Sequence, residues 1–160
     1  MKKTVPFLFF ILSVFLFISC QKSIIFDKTV SFPNNNWAFE NKAITFETPL
    51  KSSEKPHAIV IELDIIGTPN VDMFYTYITM ISPQGAKTIK TVLFNFLNPQ
   101  EPYIKGNAPN EKIYRMMVYP KKYFSETGTY TFIVDQYSNK ADNYGIRSLR
   151  MYIEKGEKGK

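Results

Sequence analysis

A chain of 160 residues, 44% hydrophobic and 21% charged, is too apolar to stay disordered and sits in the single-domain range of about 100 to 200 residues. Its formal charge of +6 is mild, and two of those charges belong to Lys2 and Lys3 of the leader described next. Lys51, Lys55, Lys121 and Lys122 interleave with Glu54 and Glu126 beside predicted turns, which reads as a solvated surface and argues against a nucleic-acid partner.

Lys2 and Lys3 precede an apolar run from Val5 to Ile18. That run is short for a membrane span of about 20 residues and suits the core of a signal peptide. It ends at Ser19, Cys20, Gln21 and Lys22, so residues 1–19 are read as a cleaved leader and 20–23 as a lipidated cysteine with a short tether. Cys20 is the only cysteine, which excludes a disulfide within the chain, and a free thiol in an oxidising compartment is a liability. Phe17-Ile18-Ser19-Cys20 resembles a lipobox, with Phe17 where Leu is commonest. Acyl chains such as palmitate on Cys20 would contribute about 0.8 kcal/mol per buried methylene, making membrane lipid the first partner. The tether has no acidic run and no Asp after the cysteine, the pattern of an outer-membrane protein facing the periplasm.

The rest of the chain alternates. Strands are predicted near Ile24 to Phe32, at Ala43 to Thr48, and at Ile59 to Ile65, where Ile59, Ile61, Leu63 and Ile65 oppose Glu62 and Asp64. In the next, Phe74, Thr76, Ile78 and Met80 alternate with Tyr75, Tyr77 and Thr79, and both faces read as largely covered. Ser82-Pro83-Gln84-Gly85 is a type I turn signal leading to Thr88 to Phe96. Pro99, Pro102 and Pro109 make Asn98 to Glu111 a long loop, since proline cannot sit in a central strand. Strands follow at Ile113 to Tyr119, Thr129 to Gln136 and, after the polar turn Asn139 to Gly145, at Arg147 to Ile153. The expectation is an all-β fold: one antiparallel β-sandwich, jelly-roll or Ig-like, of about eight strands over residues 24–155. Residues 156–160 are expected to be a disordered tail.

Chemistry-bearing constellations are sparse. His57 has no second His or Cys with which to form a triad or zinc site and reads as a surface residue. Glu62 and Asp64 share one strand face and read as solvated carboxylates, whereas a glycosidase pair would flank a cleft. Asp135, Asp142 and Asn143 offer oxygens for calcium without a recognisable spacing, and such residues usually bond their own turns. No enzyme activity, cofactor or metal is expected. Aromatic residues are abundant, with 14 Phe and 10 Tyr. Trp37, after Pro33 and three asparagines, and Tyr103, among the prolines, are the candidate partner-binding rings; for Trp37 the alternative is a plug at one end of the sandwich.

Phe32-Pro33-Asn34-Asn35-Asn36-Trp37, Gly128-Thr129-Tyr130-Thr131-Phe132, Gly145-Ile146 and Tyr152-Ile153-Glu154-Lys155 together resemble the gliding-motility lipoproteins of the GldH type from Bacteroidetes. The middle loop differs, with Pro102-Tyr103-Ile104-Lys105-Gly106 in place of a Gly-Trp-Leu-Gly-like segment. The resemblance implies a non-catalytic accessory of gliding or secretion-related envelope machinery, whose partners are envelope proteins. A carbohydrate-binding lipoprotein, with a glycan as partner, is the alternative.

Overall fold

The computed structural model describes residues 23–98 and 103–156. The leader, Cys20 and residues 157–160 of the expected tail lie outside them. Among the described residues there are nine strands: β1 (Ile24–Ser31), β2 (Ala43–Leu50), β3 (Ser53–Ile66), β4 (Met73–Ile81), β5 (Lys87–Asn95), β6 (Tyr103–Lys105), β7 (Glu111–Phe124), β8 (Gly128–Tyr137) and β9 (Ile146–Lys155). They form a five-stranded sheet in the order β1-β9-β3-β7-β6 and a four-stranded sheet in the order β2-β8-β4-β5. The antiparallel pairings β1–β9, β2–β8, β3–β7 and β4–β5 are those of one long hairpin whose tip is the Ser82–Gly85 turn, where the Gly85 N–H donates to Ser82 O at 2.9 Å. Rolled into two layers, that ribbon is a jelly-roll sandwich.

Period-two alternation builds the core. Ile59, Ile61, Leu63 and Ile65 of β3 and Leu149, Met151 and Ile153 of β9 turn inward, facing Phe74, Ile78 and Met80 of β4 and Phe132 and Val134 of β8. β3 and β7 run to 14 residues each, well past their predicted limits, through Pro56 and Pro120. The ladder tolerates these prolines because the β3–β7 register shifts at three places between Ser53 and Val60, and a bulge leaves a residue unpaired where the missing N–H is not needed. The predicted long loop is also shorter than expected: Tyr103–Lys105 pairs with Tyr114–Lys112 as an edge strand.

The two ends of the sandwich differ. At the first, β1 begins and β9 ends, joined by the Lys155 N–H donating to Ser23 O at 2.8 Å. The 51–52, 82–86 and 125–127 turns gather there, with the Ser52 N–H on Thr127 Oγ1 at 3.0 Å and the Gln84 N–H on Glu126 Oε2 at 3.2 Å. At the other end, the short 3₁₀ turns Pro33–Asn35 and Phe39–Asn41 pack beside the 138–145 segment. There Gly145 has φ +91°, and an added Cβ would lie 2.8 Å from Pro69 Cα, so only glycine fits.

Candidate functional site

Trp37 is fully buried. Its indole N–H donates to Asn41 O at 2.8 Å, and its ring stacks on Phe32 at 4.8 Å and tilts against Phe74 at 5.4 Å. The plug reading therefore describes its place, and the expectation that it presents a ring to a partner is corrected: a buried ring offers no contact area. The asparagines before it explain the burial. Asn36 Oδ1 accepts the Asn143 N–H at 2.8 Å, Asn36 Nδ2 donates to Asp142 Oδ1 at 2.7 Å, and Asn143 Nδ2 donates to Trp37 O at 2.9 Å, so the polar loop clamps the backbone that carries the indole. Asp142 and Asn143 are thereby engaged, while Asp135 lies mid-strand opposite Ala43 and Tyr77. The three oxygen donors considered for calcium do not converge.

Tyr103 is about half exposed. It lies on β6 with its ring 5.9 Å from Tyr114 and the Lys112 ammonium 5.1 Å from its centre. The rings of Phe32, Trp37, Phe74, Phe96, Tyr114 and Tyr103 form one continuous row, each 4.8 to 6.5 Å from the next. Both rings singled out in the sequence belong to it, one inside and one at its wet end.

One exposed aromatic surface was not anticipated. The second face of β4 is open: Met73 and Tyr75 are exposed beside Tyr137 of β8, which is 66% exposed. Tyr75 and Tyr137 are direct cross-strand partners, and Tyr77 meets Tyr137 edge-on at 5.3 Å and 64°. Met73, Tyr75, Tyr137, Ser138 and Asn139 line a shallow depression of about 450 Å³. The signal was the choice of tyrosine at alternate positions of β4, since a ring that keeps its hydroxyl wet suits a half-solvated face.

The outer face of the five-stranded sheet is ionic, and it corrects the reading of Glu62 and Asp64 as solvated. Glu62 is buried. It accepts from Arg115 Nε at 2.6 Å, Arg150 Nη1 at 2.9 Å and the Tyr152 hydroxyl at 3.4 Å. Arg150 also binds Asp27 of β1 through two bonds of 2.8 and 2.7 Å, holding that carboxyl below its usual range. Arg147 bridges Asp64, at 2.7 Å, and Glu111. Burial pushes the Asp64 carboxyl up despite Arg147, whereas the Ala108 backbone N–H holds Glu111 down. Burial and Glu62 push the Tyr152 phenol up to about 12. With both Glu62 oxygens engaged by guanidinium groups, the pair is built as a structural lattice across four strands.

His57, expected at the surface, is buried at the first end of the sandwich. Its ring lies 5.2 Å from Phe124, and burial lowers its pKa below the ordinary 6.5. His57 continues the inward parity of Ile59, Ile61, Leu63 and Ile65, so the alternation of β3 points the imidazole to the core, and the surface reading rested on the polarity of the residue alone.

The family model described as GldH lipoprotein matches residues 24–151. No curated protein matches the chain. Among solved structures, a chain in the structure of infectious bursal disease virus, Gx strain, superposes with a TM-score of 0.36 at 10% identity, covering 82% of this chain and 34% of the viral one. The chain thus spans about a third of that protein's length, and at this score the likeness carries no argument.

Proposed function

The chain belongs to the GldH lipoprotein family, and from that membership we propose that it is a non-catalytic accessory of gliding-motility or secretion-related envelope machinery. In this reading acylated Cys20 anchors it in the outer membrane, facing the periplasm, and the sandwich docks envelope proteins. The observation that carries the docking role is the Met73, Tyr75 and Tyr137 surface, exposed on a face whose reverse is fully packed. Interface hot spots favour such rings, and truncating one can cost about 2 kcal/mol or more. Tyr103, at the wet end of the aromatic row, is a second contact in the same proposal.

The test is co-purification from solubilised membranes. Tyr75→Ala with Tyr137→Ala is expected to lose the proteins retained by the wild type while the thermal midpoint moves by no more than a few degrees. Tyr103→Ala should weaken retention in the same direction. Unchanged retention in both variants would move the docking site elsewhere. The glycan-binding alternative draws on the depression beside Tyr75 and Tyr137, but Tyr77 and Tyr137 meet at 64°, unlike the coplanar rings that would suit stacked sugars. Binding of envelope polysaccharide by the wild type, lost in the tyrosine variants, would favour it.

A further inference from the structure

Lys51, Lys55, Lys87, Lys121, Lys122 and Lys155 all stand at the end of the sandwich where β1 begins, with Glu54, Glu126 and Glu154 among them. At the opposite end, Lys42, Lys105, Lys112 and Lys140 are matched by Glu40, Asp72, Glu111 and Asp142. Among the described residues the excess of positive charge is therefore confined to one end. Ile24, Ile25 and Tyr123, each 41 to 54% exposed, share it. So does a depression of about 370 Å³ whose walls include Ile25, Leu50, Phe124 and His57, with Lys51 and Lys155 beside them.

The tether fixes what this end meets. Cys20 and Ser23 are three residues apart in sequence, a reach of at most about 11 Å. We propose that the lysine-rich end of the sandwich lies flat on an anionic lipid surface, the leaflet that holds acylated Cys20. The lysines engage headgroup phosphates there, and Ile24, Ile25 and Tyr123 sit at headgroup depth. The chemistry fits on three counts. Lysine stems cover apolar surface while their ammonium groups stay wet, tyrosine suits the interface, and anionic lipid attracts each nearby lysine. The inference rests on the proposed acylation of Cys20.

The experiment uses the full lipoprotein carrying either Gln84→Cys at the lysine-rich end or Asn41→Cys at the other, each labelled with a fluorophore. The proteins are reconstituted in vesicles of phosphatidylethanolamine with phosphatidylglycerol, or of phosphatidylcholine alone, containing lipid-borne spin quencher. Intact mass and flotation report acylation separately. The expected result is quenching at position 84 and not at 41, strongest with phosphatidylglycerol and relieved by high salt while the protein still floats. Reversing Lys51, Lys121 and Lys155 to Glu should lower the docked-to-undocked ratio by at least roughly five-fold per lysine without altering the thermal midpoint. Equal quenching at both positions, or quenching at 84 indifferent to lipid charge, salt and lysine reversal, overturns the docking while leaving the anchor intact. A protein of unacylated mass that fails to float overturns the anchor, and the docking with it.

Discussion

Trp37 and His57 show how far a residue's neighbours decide its role. Trp37→Ala removes the ring that joins Phe32 to Phe74 and the bond to Asn41 O, so a loss of about 3 to 5 kcal/mol is expected, read as a lower midpoint in urea. Trp37→Phe should recover more than half of it. His57 carries a pH signature. Its folded pKa lies below the ordinary 6.5 because burial disfavours the charged ring, so the unfolded chain takes up the proton first. The stability it confers is complete above about 6.5 and is lost as the pH falls from there toward the folded value. Thermal midpoints of the wild type should drop on moving from about pH 7.5 to about pH 5.5, and His57→Phe should flatten that part of the slope. An unchanged slope would assign it to other groups. The burial of Trp37 was legible only as the plug alternative, because what clamps a lone tryptophan after asparagines is Asn143, distant in the chain, whereas His57 is in phase with Ile59 and Ile61 and was misjudged by its polarity. The turn at Gly145 was legible as well, because a glycine closing the polar stretch from Asn139 marks the kind of backbone that φ +91° requires.

At the scale of the strand, inward faces were legible and outward faces were not. Ile59, Ile61, Leu63 and Ile65 turned inward as their alternation required, but the same alternation sets Glu62 and Asp64 outward without saying what lies over them. Arg115 on β7 and Arg147 and Arg150 on β9 cover them, and cross-strand neighbours are a matter of register, which hydrophobic periodicity within one strand cannot supply. The lattice has an asymmetry that can be tested. Glu62 is its buried member, its side chain only 6% exposed, whereas the arginines reach water. Arg115→Ala with Arg150→Ala should leave a buried carboxylate uncompensated, costing about 3 to 5 kcal/mol. Glu62→Leu releases the arginines to solvent and should be near neutral or stabilising. Equilibrium denaturation of the two variants checks the ordering, and the reverse order would show that the arginines, not Glu62, bear the desolvation.

At the scale of the molecule, the rolled ribbon brings both termini of the sandwich together, with β1 and β9 as neighbours in one sheet. β1 is an edge strand, paired with β9 alone, and its first residue is the one nearest the anchor in sequence. In a machine that moves against its membrane, tension would enter there. If the body of the sandwich is pulled while Cys20 is held, the force runs along β1, and the ladder bonds to β9 lie across it. They are then loaded together in shear instead of being peeled one at a time, and the two bonds from Arg150 to Asp27 act as a rivet between the sliding strands. Single-molecule pulling from the tether end against the body should find one high rupture force for the wild type. Asp27→Asn should lower it with little change in equilibrium stability, since that pair is partly exposed and contributes at most about 1 kcal/mol at rest.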